Sequence, residues 1–193
     1  MRRRNFIRSL SIGSGAIVAT PVISIPAVAN TISKTRTAKE MPTDVVIAGA
    51  GMGGCAAAIA ALRNGLRVVM TEETDWIGGQ LTQQGLSCPD EHPWIESFGA
   101  TQLYSDLRTA IREYYVRHYP LTEAAKTNKN LNPGSGAVSR LCHEPRVALA
   151  VLSNMLAPYL ASGKLTLLLQ HKIEGADING DKVKALKAHS LQT

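Results

Sequence analysis

The chain has 193 residues, 45% of them apolar and 19% charged, with three cysteines and a formal charge of +6. That is enough apolar sequence for one domain with a core, so a wholly disordered chain is excluded, as is a mini-protein held by disulfides. The charge raises nucleic acid or an anionic surface as a partner, so its placement matters.

Arg2, Arg3, Arg4 and Arg8 stand ahead of an apolar stretch running from Leu10 to Ala29, and no acid precedes Glu40. A basic start, an apolar middle and small residues at Ala27-Val28-Ala29 are the layout of an export signal. Arg3-Arg4-Asn5-Phe6-Ile7-Arg8 resembles the twin-arginine export motif. Gly13, Gly15, Pro21 and Pro26 break the stretch and argue against a membrane span, which needs about 20 uninterrupted apolar residues; an uncleaved anchor is the alternative. Residues 1–29 are therefore expected to be a signal peptide cleaved after Ala29, with the mature protein periplasmic or otherwise exported and the export machinery a partner. Without those four arginines the charge is near neutral. No basic run is interleaved with aromatics, which removes nucleic acid as a main partner.

Residues 30–42 read as a polar linker, and 43–193 as the folded portion. Asp44 to Ala48 is a short apolar run, the pattern of a buried parallel strand. Gly49 to Gly54 interrupts it. The Ala-rich Cys55 to Asn64 predicts a helix that Gly65 ends. Arg67 to Thr71 predicts a second strand, closing at Glu72, so the unit has the size of a βαβ crossover. Residues 75–98 are irregular and rich in Gly and Pro. Thr101 to His118 carries apolar residues at spacings of three and four, a half-buried helix; residues 120–139 read as loop. Pro145 opens a further helix marked by Val147, Val151, Leu152, Met155, Leu156 and Tyr159. Leu165 to Leu169 is a strand. His171 to Ile178 and Lys182 to Ala188 form a hairpin around Asn179-Gly180-Asp181. The fold class is α/β: a Rossmann-like parallel sheet with a βαβ unit, a helical and loop insertion at about 75–142, and a β-hairpin or meander.

Gly49-Ala50-Gly51-Met52-Gly53-Gly54 is a G-x-G-x-x-G between a predicted strand and a predicted helix. Gly49 permits the tight turn, Gly51 lets main chain approach a pyrophosphate, and Gly54 lets helix and strand pack closely. The helix N-terminus offers N–H groups and partial positive charge to phosphates. Glu72 sits where an acid accepts hydrogen bonds from ribose hydroxyls, which favours FAD or NAD over NADP. After it come Glu73 and then Gly78-Gly79-Gln80. This resembles the acid-then-Gly-Gly segment of glutathione-reductase-type flavoproteins, in which the glycine pair lets the chain pass close to FAD.

With Pro89-Asp90-Glu91-His92-Pro93-Trp94-Ile95, Leu131-Asn132-Pro133-Gly134 and Val138-Ser139-Arg140-Leu141-Cys142-His143-Glu144-Pro145-Arg146, the chain resembles a bacterial group of exported FAD-dependent oxidoreductases from about Asp44 onward. The resemblance implies FAD as cofactor and a main-chain contact to the adenine at Ile173 or its neighbour Lys172. It also implies a later flavin-contacting segment and a substrate domain, so the domain is expected to be incomplete at its C-terminus, as in a truncated or split reading frame. The expected function is a periplasmic FAD-dependent oxidoreductase acting with a small-molecule substrate and an electron acceptor that no motif specifies. A non-catalytic fragment and an NAD-binding Rossmann protein are the alternatives. Asp90, His92, Arg140, His143, Glu144 and Arg146 are the pocket candidates, since a flavin site uses cations to stabilise the reduced ring and a carboxylate or imidazole to move a proton. The alternative is that Glu144 caps the helix that Pro145 begins and the rest lie on the surface. Cys55 reads as a packing residue, His171 as structural, and Cys88 and Cys142 as a possible pair in an oxidising compartment. No Cys/His spacing suggests a metal.

Overall fold

Three apolar runs, each too short for a helix, pair as parallel strands in the order β1-β2-β3: Val45–Ala48, Val68–Glu72 and Leu165–Leu169. The computed structural model describes residues 39–89, 91–92 and 94–192; the expected export signal, most of the linker, Asp90 and Pro93 lie outside them. β2 is central, and all five of its residues are buried. This accounts for its apolar opening run, Val68 to Met70. Register runs Val45↔Val68 and Val68↔Leu165, so the carboxyl ends of β1, β2 and β3 lie together.

α1 (Met52–Arg63) follows β1, and Gly65 at φ +84° ends it as expected. A short helix α2 (Ile95–Phe98) precedes α3 (Gln102–His118), whose N-cap Thr101 accepts from the Tyr104 N–H. Residues 120–139 are not wholly loop: Glu123–Thr127 forms a one-turn helix α4, with Thr122 accepting the Ala125 N–H. Five residues carry no usable periodicity, so a cap was its sole signal. α5 (Pro145–Ala161) starts at its proline and packs on β3, α3 and α1. Cys55, Ala58, Ile59 and Leu62 from α1 meet Val147, Val151, Leu152 and Leu156 from α5 in one core with Val68, Met70, Leu107 and Ile111. No helix of the described residues is long and apolar enough to cross a membrane.

β4 (His171–Asn179) and β5 (Lys182–Ser190) form a separate antiparallel pair. Asn179 pairs with Lys182, so Gly180-Asp181 is the two-residue loop and the Asn-Gly step is not its centre. Gly180, at φ +63°, takes the first central position, the one a II′ turn gives to glycine.

Candidate functional site

The βαβ unit brings the first glycine motif, the acid and the second glycine pair to one place, and Ala50 is their hub. Gly49 turns the chain at φ +95° at the end of β1, and its N–H donates to the Thr71 carbonyl. Ala50 is fully buried. Its N–H donates to Glu72 Oε2 at 3.0 Å, and its carbonyl accepts the Gly78 N–H at 2.7 Å and the Cys55 thiol at 3.3 Å. The thiol stays protonated for this: burial pushes Cys55 up to about 11, opposed by the Gly78 N–H and helped by the nearby Glu72 carboxylate. Cys55 is thus a packing residue, as expected, and also a donor to the glycine loop.

The other carboxylate oxygen, Glu72 Oε1, accepts the Thr74 N–H at 3.0 Å and the Thr74 hydroxyl at 2.9 Å. Glu72 is 8% exposed. A carboxylate offers about four acceptor sites, and these three bonds leave room for a hydroxyl. Gly78 and Gly79 have φ of +102° and +53°. A Cβ on Gly79 would come within 3.1 Å of Gly51 Cα, so the pair packs directly on the first glycine loop. Gln80 follows in a 3₁₀ turn, Gly79–Leu81.

The loop's outer side is open. A Cβ on Gly51 or Gly53 would meet nothing within 4 Å. Met52 is half exposed, and the first turn of α1 has neither an acid nor a side-chain cap. Its N–H groups and the positive end of the helix dipole therefore face unobstructed ground, as an anion requires. Beyond Glu72, a cavity of about 530 Å³ is lined by Glu73, Thr74, Asp75, Gln170, Leu191 and Gln192. Ile173 stands three residues past Gln170 on β4 and does not line it. Open main chain, an uncapped helix start, a held carboxylate and an adjoining cavity fit the diphosphate and adenosine half of a dinucleotide.

The remaining candidates lie apart from this loop in sequence and separate by burial. His92 is exposed, its Nδ1 accepting the Trp94 N–H; Arg140 and Arg146 are exposed as well. Glu144 occupies the N-cap position of α5 but makes no capping bond; its Oε1 accepts the Tyr119 hydroxyl at 2.9 Å. Cys142 is a thiol, so the suggested pairing with Cys88 is not made. The 132–142 loop closes tightly around it: the Gly134 N–H donates to the Cys142 carbonyl, and a Cβ on Gly136 would lie 2.6 Å from its sulfur. His171 Nδ1 contacts the Leu169 carbonyl at 2.7 Å, a local bond at the strand junction.

His143, by contrast, is enclosed at 2% exposure, and its Nε2 has no hydrogen-bond partner among the described residues. Burial lowers its pKa below the ordinary 6.5, with the Leu141 carbonyl and Glu91 opposing and Arg108 adding. The unfolded imidazole takes up a proton more readily than the folded one, so folding stability is complete above about pH 6.5 and falls as pH drops through the lower folded value. A melting-temperature series from about pH 7 to 5.5 is expected to slope downward in the wild type and to be flatter in His143→Leu; equal slopes would exclude His143 as the cause.

Beside His143 is a buried charge cluster that the sequence reading did not single out. Arg108 is 4% exposed and bonds both Glu91 Oε2 and Glu96 Oε1. Glu91 also accepts the Tyr104 and Ser139 hydroxyls, at 2.6 and 3.0 Å. Arg112 reaches Glu96 and, at 2.9 Å, the Leu131 carbonyl. Burial works against the Glu96 carboxylate, but Arg112 and Arg108 outweigh it and hold it below 4.5. Burial, with Glu91 beside it, pushes Tyr104 up to about 12. The cluster ties the Gly/Pro-rich segment before α2 and the 131–143 loop to α3.

A parallel βαβ sheet with an open glycine loop at a helix start defines a dinucleotide-binding α/β domain. The chain belongs to the FAD-dependent oxidoreductase family, whose sequence profile matches residues 44–193. FAD is accordingly its cofactor. No curated protein matches the chain significantly in sequence. Among solved structures it is similar to Mycobacterium smegmatis Sdh1 in complex with UQ1, at 16% identity and a TM-score of 0.46, over 77% of this chain and 30% of that one. The L-amino acid deaminase from Proteus vulgaris matches at 17% and 0.43, over 79% and 51%. The glycerol-3-phosphate dehydrogenase from Bacillus halodurans complexed with FAD matches at 16% and 0.41, over 79% and 31%. The chain spans from under a third to about half the length of these structures.

Proposed function

We propose that residues 43–193 are the FAD-holding portion of an oxidoreductase of glutathione-reductase type, exported to the periplasm by a twin-arginine signal ending at Ala29. The observation that carries the cofactor reading is Ala50, where the glycine loop, the Gly78–Gly79 turn and the Glu72 carboxylate are bonded together. Gly51 leaves main chain open to the diphosphate, and the first turn of α1 presents N–H groups to it. Glu72, oriented by Ala50 and Thr74, receives an adenosine ribose hydroxyl at its remaining acceptor position. The cavity beside Thr74 and Gln170 takes the adenine. FAD, when bound, supplies hydride and electron transfer at its ring system; this chain's residues bind and orient it. A small-molecule substrate and an electron acceptor complete the reaction. Export of a folded protein suits a cofactor loaded in the cytoplasm, and the Arg3-Arg4 motif supports that route.

Purified from flavin-replete cells, the chain is expected to be yellow, with the flavin absorbing in the blue. Glu72→Ala is expected to weaken FAD binding by about tenfold to a hundredfold, the worth of a charge-assisted hydrogen bond. Arg3→Lys with Arg4→Lys is expected to hold the protein in the cytoplasm. A colourless wild-type preparation that takes up no added FAD would overturn the cofactor reading, and unchanged export of the double variant would overturn the route.

A further inference from the structure

The residue joining β3 to β4 is held more firmly than a connector needs. Gln170 adopts φ +55°, a left-handed conformation that glycine or asparagine normally supplies. Such a conformation persists where its surroundings over-determine it. Here three bonds do so. The Gln170 N–H donates to the Thr74 carbonyl at 3.2 Å, its carbonyl accepts the Leu191 N–H at 2.7 Å, and its side-chain Nε2 donates to Asp75 Oδ1. Gln170 also lines the 530 Å³ cavity together with Glu73, Thr74 and Asp75.

One of those bonds ends on Thr74, which orients Glu72, and another on its neighbour Asp75. Thr74 uses both its N–H and its hydroxyl on Glu72 Oε1. Its remaining main-chain group, the carbonyl, is the one Gln170 holds, and Gln170 grips the next residue by its side chain. From this chain of bonds we infer that Gln170 is a positioning residue for the adenosine end of the dinucleotide: it fixes the Thr74–Asp75 turn and thereby aims the Glu72 carboxylate at the ribose. The inference rests on the reading of Glu72 as the ribose acceptor. Gln170 touches no reacting atom, and its effect is on which sugar the site prefers. Without the tie to Asp75, the turn carrying Thr74 rotates more freely, and Glu72 keeps its charge but loses its direction.

The test uses the full chain freed of bound FAD, titrated calorimetrically with ADP and with 2′-deoxy-ADP, in wild type, Gln170→Ala and Gln170→Gly. Glycine is at home at φ +55°, so Gln170→Gly removes the side-chain tie without adding backbone strain and keeps the test valid if the alanine variant folds poorly. The wild type is expected to bind ADP at least about tenfold more tightly than 2′-deoxy-ADP. In both variants the ADP affinity is expected to fall toward that of 2′-deoxy-ADP, while the 2′-deoxy-ADP affinity stays within about threefold of wild type. A variant that keeps the wild-type preference overturns the proposal. So does an equal loss for both nucleotides, which marks a merely structural role. A wild type that binds the two nucleotides equally overturns the Glu72 reading itself, and the role of Gln170 falls with it.

Discussion

Gly54→Ala is expected to cost about 3 kcal/mol of stability and to abolish measurable FAD binding. An alanine Cβ there would stand 2.0 Å from the Gly49 carbonyl oxygen, 3.1 Å from the Gly49 carbonyl carbon and 3.3 Å from Ile47 Cγ2. The first two are main-chain atoms at the end of β1, so no side chain can swing aside. Relief comes only by lifting α1 away from β1, which disturbs the loop proposed to hold the diphosphate. Gly53→Ala and Gly51→Ala make the contrast, because a methyl at either position meets nothing within 4 Å. Both are expected to unfold within about 0.5 kcal/mol of wild type. Gly51→Ala is nevertheless expected to lose FAD affinity, since its methyl occupies the ground the pyrophosphate approaches. Chemical denaturation and flavin titration of the three variants separate the roles. A Gly54→Ala protein as stable as wild type, or a Gly51→Ala protein with undiminished affinity, would contradict this division.

The second large effect lies away from the cofactor. Arg108→Met is expected to destabilise the fold by about 3–5 kcal/mol, because it leaves the Glu91 carboxylate buried without its cation. The Arg108 and Glu91 side chains are each 5% exposed, and the two hydroxyls that remain on Glu91 carry no charge to offset it. Adding Glu91→Gln is expected to restore part of the loss, so a double-mutant cycle in urea should return a coupling of more than about 1 kcal/mol. The exposed Arg117–Glu113 pair is the control: Arg117→Ala is expected to change stability by no more than about 0.5 kcal/mol, as a solvent-screened pair contributes little. An Arg108→Met variant within 1 kcal/mol of wild type would refute the assignment.

The parallel sheet was legible because its buried central strand opens on the apolar run Val68 to Met70, and because Gly49 and Gly65 mark the turns between strand and helix. The glycine motif was legible by its position between those elements. Ala50 was not, since its role lies in its main-chain N–H and carbonyl, which every residue type offers. Arg108 reads from sequence as a polar residue next to the stripe of Leu103, Leu107 and Ile111. Its acid, Glu91, lies in a segment without periodicity, so their meeting is visible only after folding. Gln170 is the same lesson in the backbone: nothing in a glutamine announces a left-handed φ, and the strain follows from a one-residue joint between two strands that belong to different sheets. His143 looks in sequence like any loop histidine, and its 2% exposure is set by folding.

The two halves of the site also differ in how far apart in the chain they are made. The glycine loop is fixed by β1 meeting β2 across one helix, Val45 opposite Val68. The Gln170 corner needs β3 beside β2, Val68 opposite Leu165, a closure over a loop about four times as long. Two doublings of loop length add roughly 1.2 kcal/mol of closure entropy. The glycine loop, proposed for the phosphates, therefore closes from local chain, while the Gln170 corner, proposed for the adenosine, needs α3 and α5 to carry β3 into place. A ligand that spans both ends binds the closed arrangement and draws the equilibrium toward it. A cofactor bound across both ends would thus tie a contact of short loop closure to one of long loop closure and stabilise the two together.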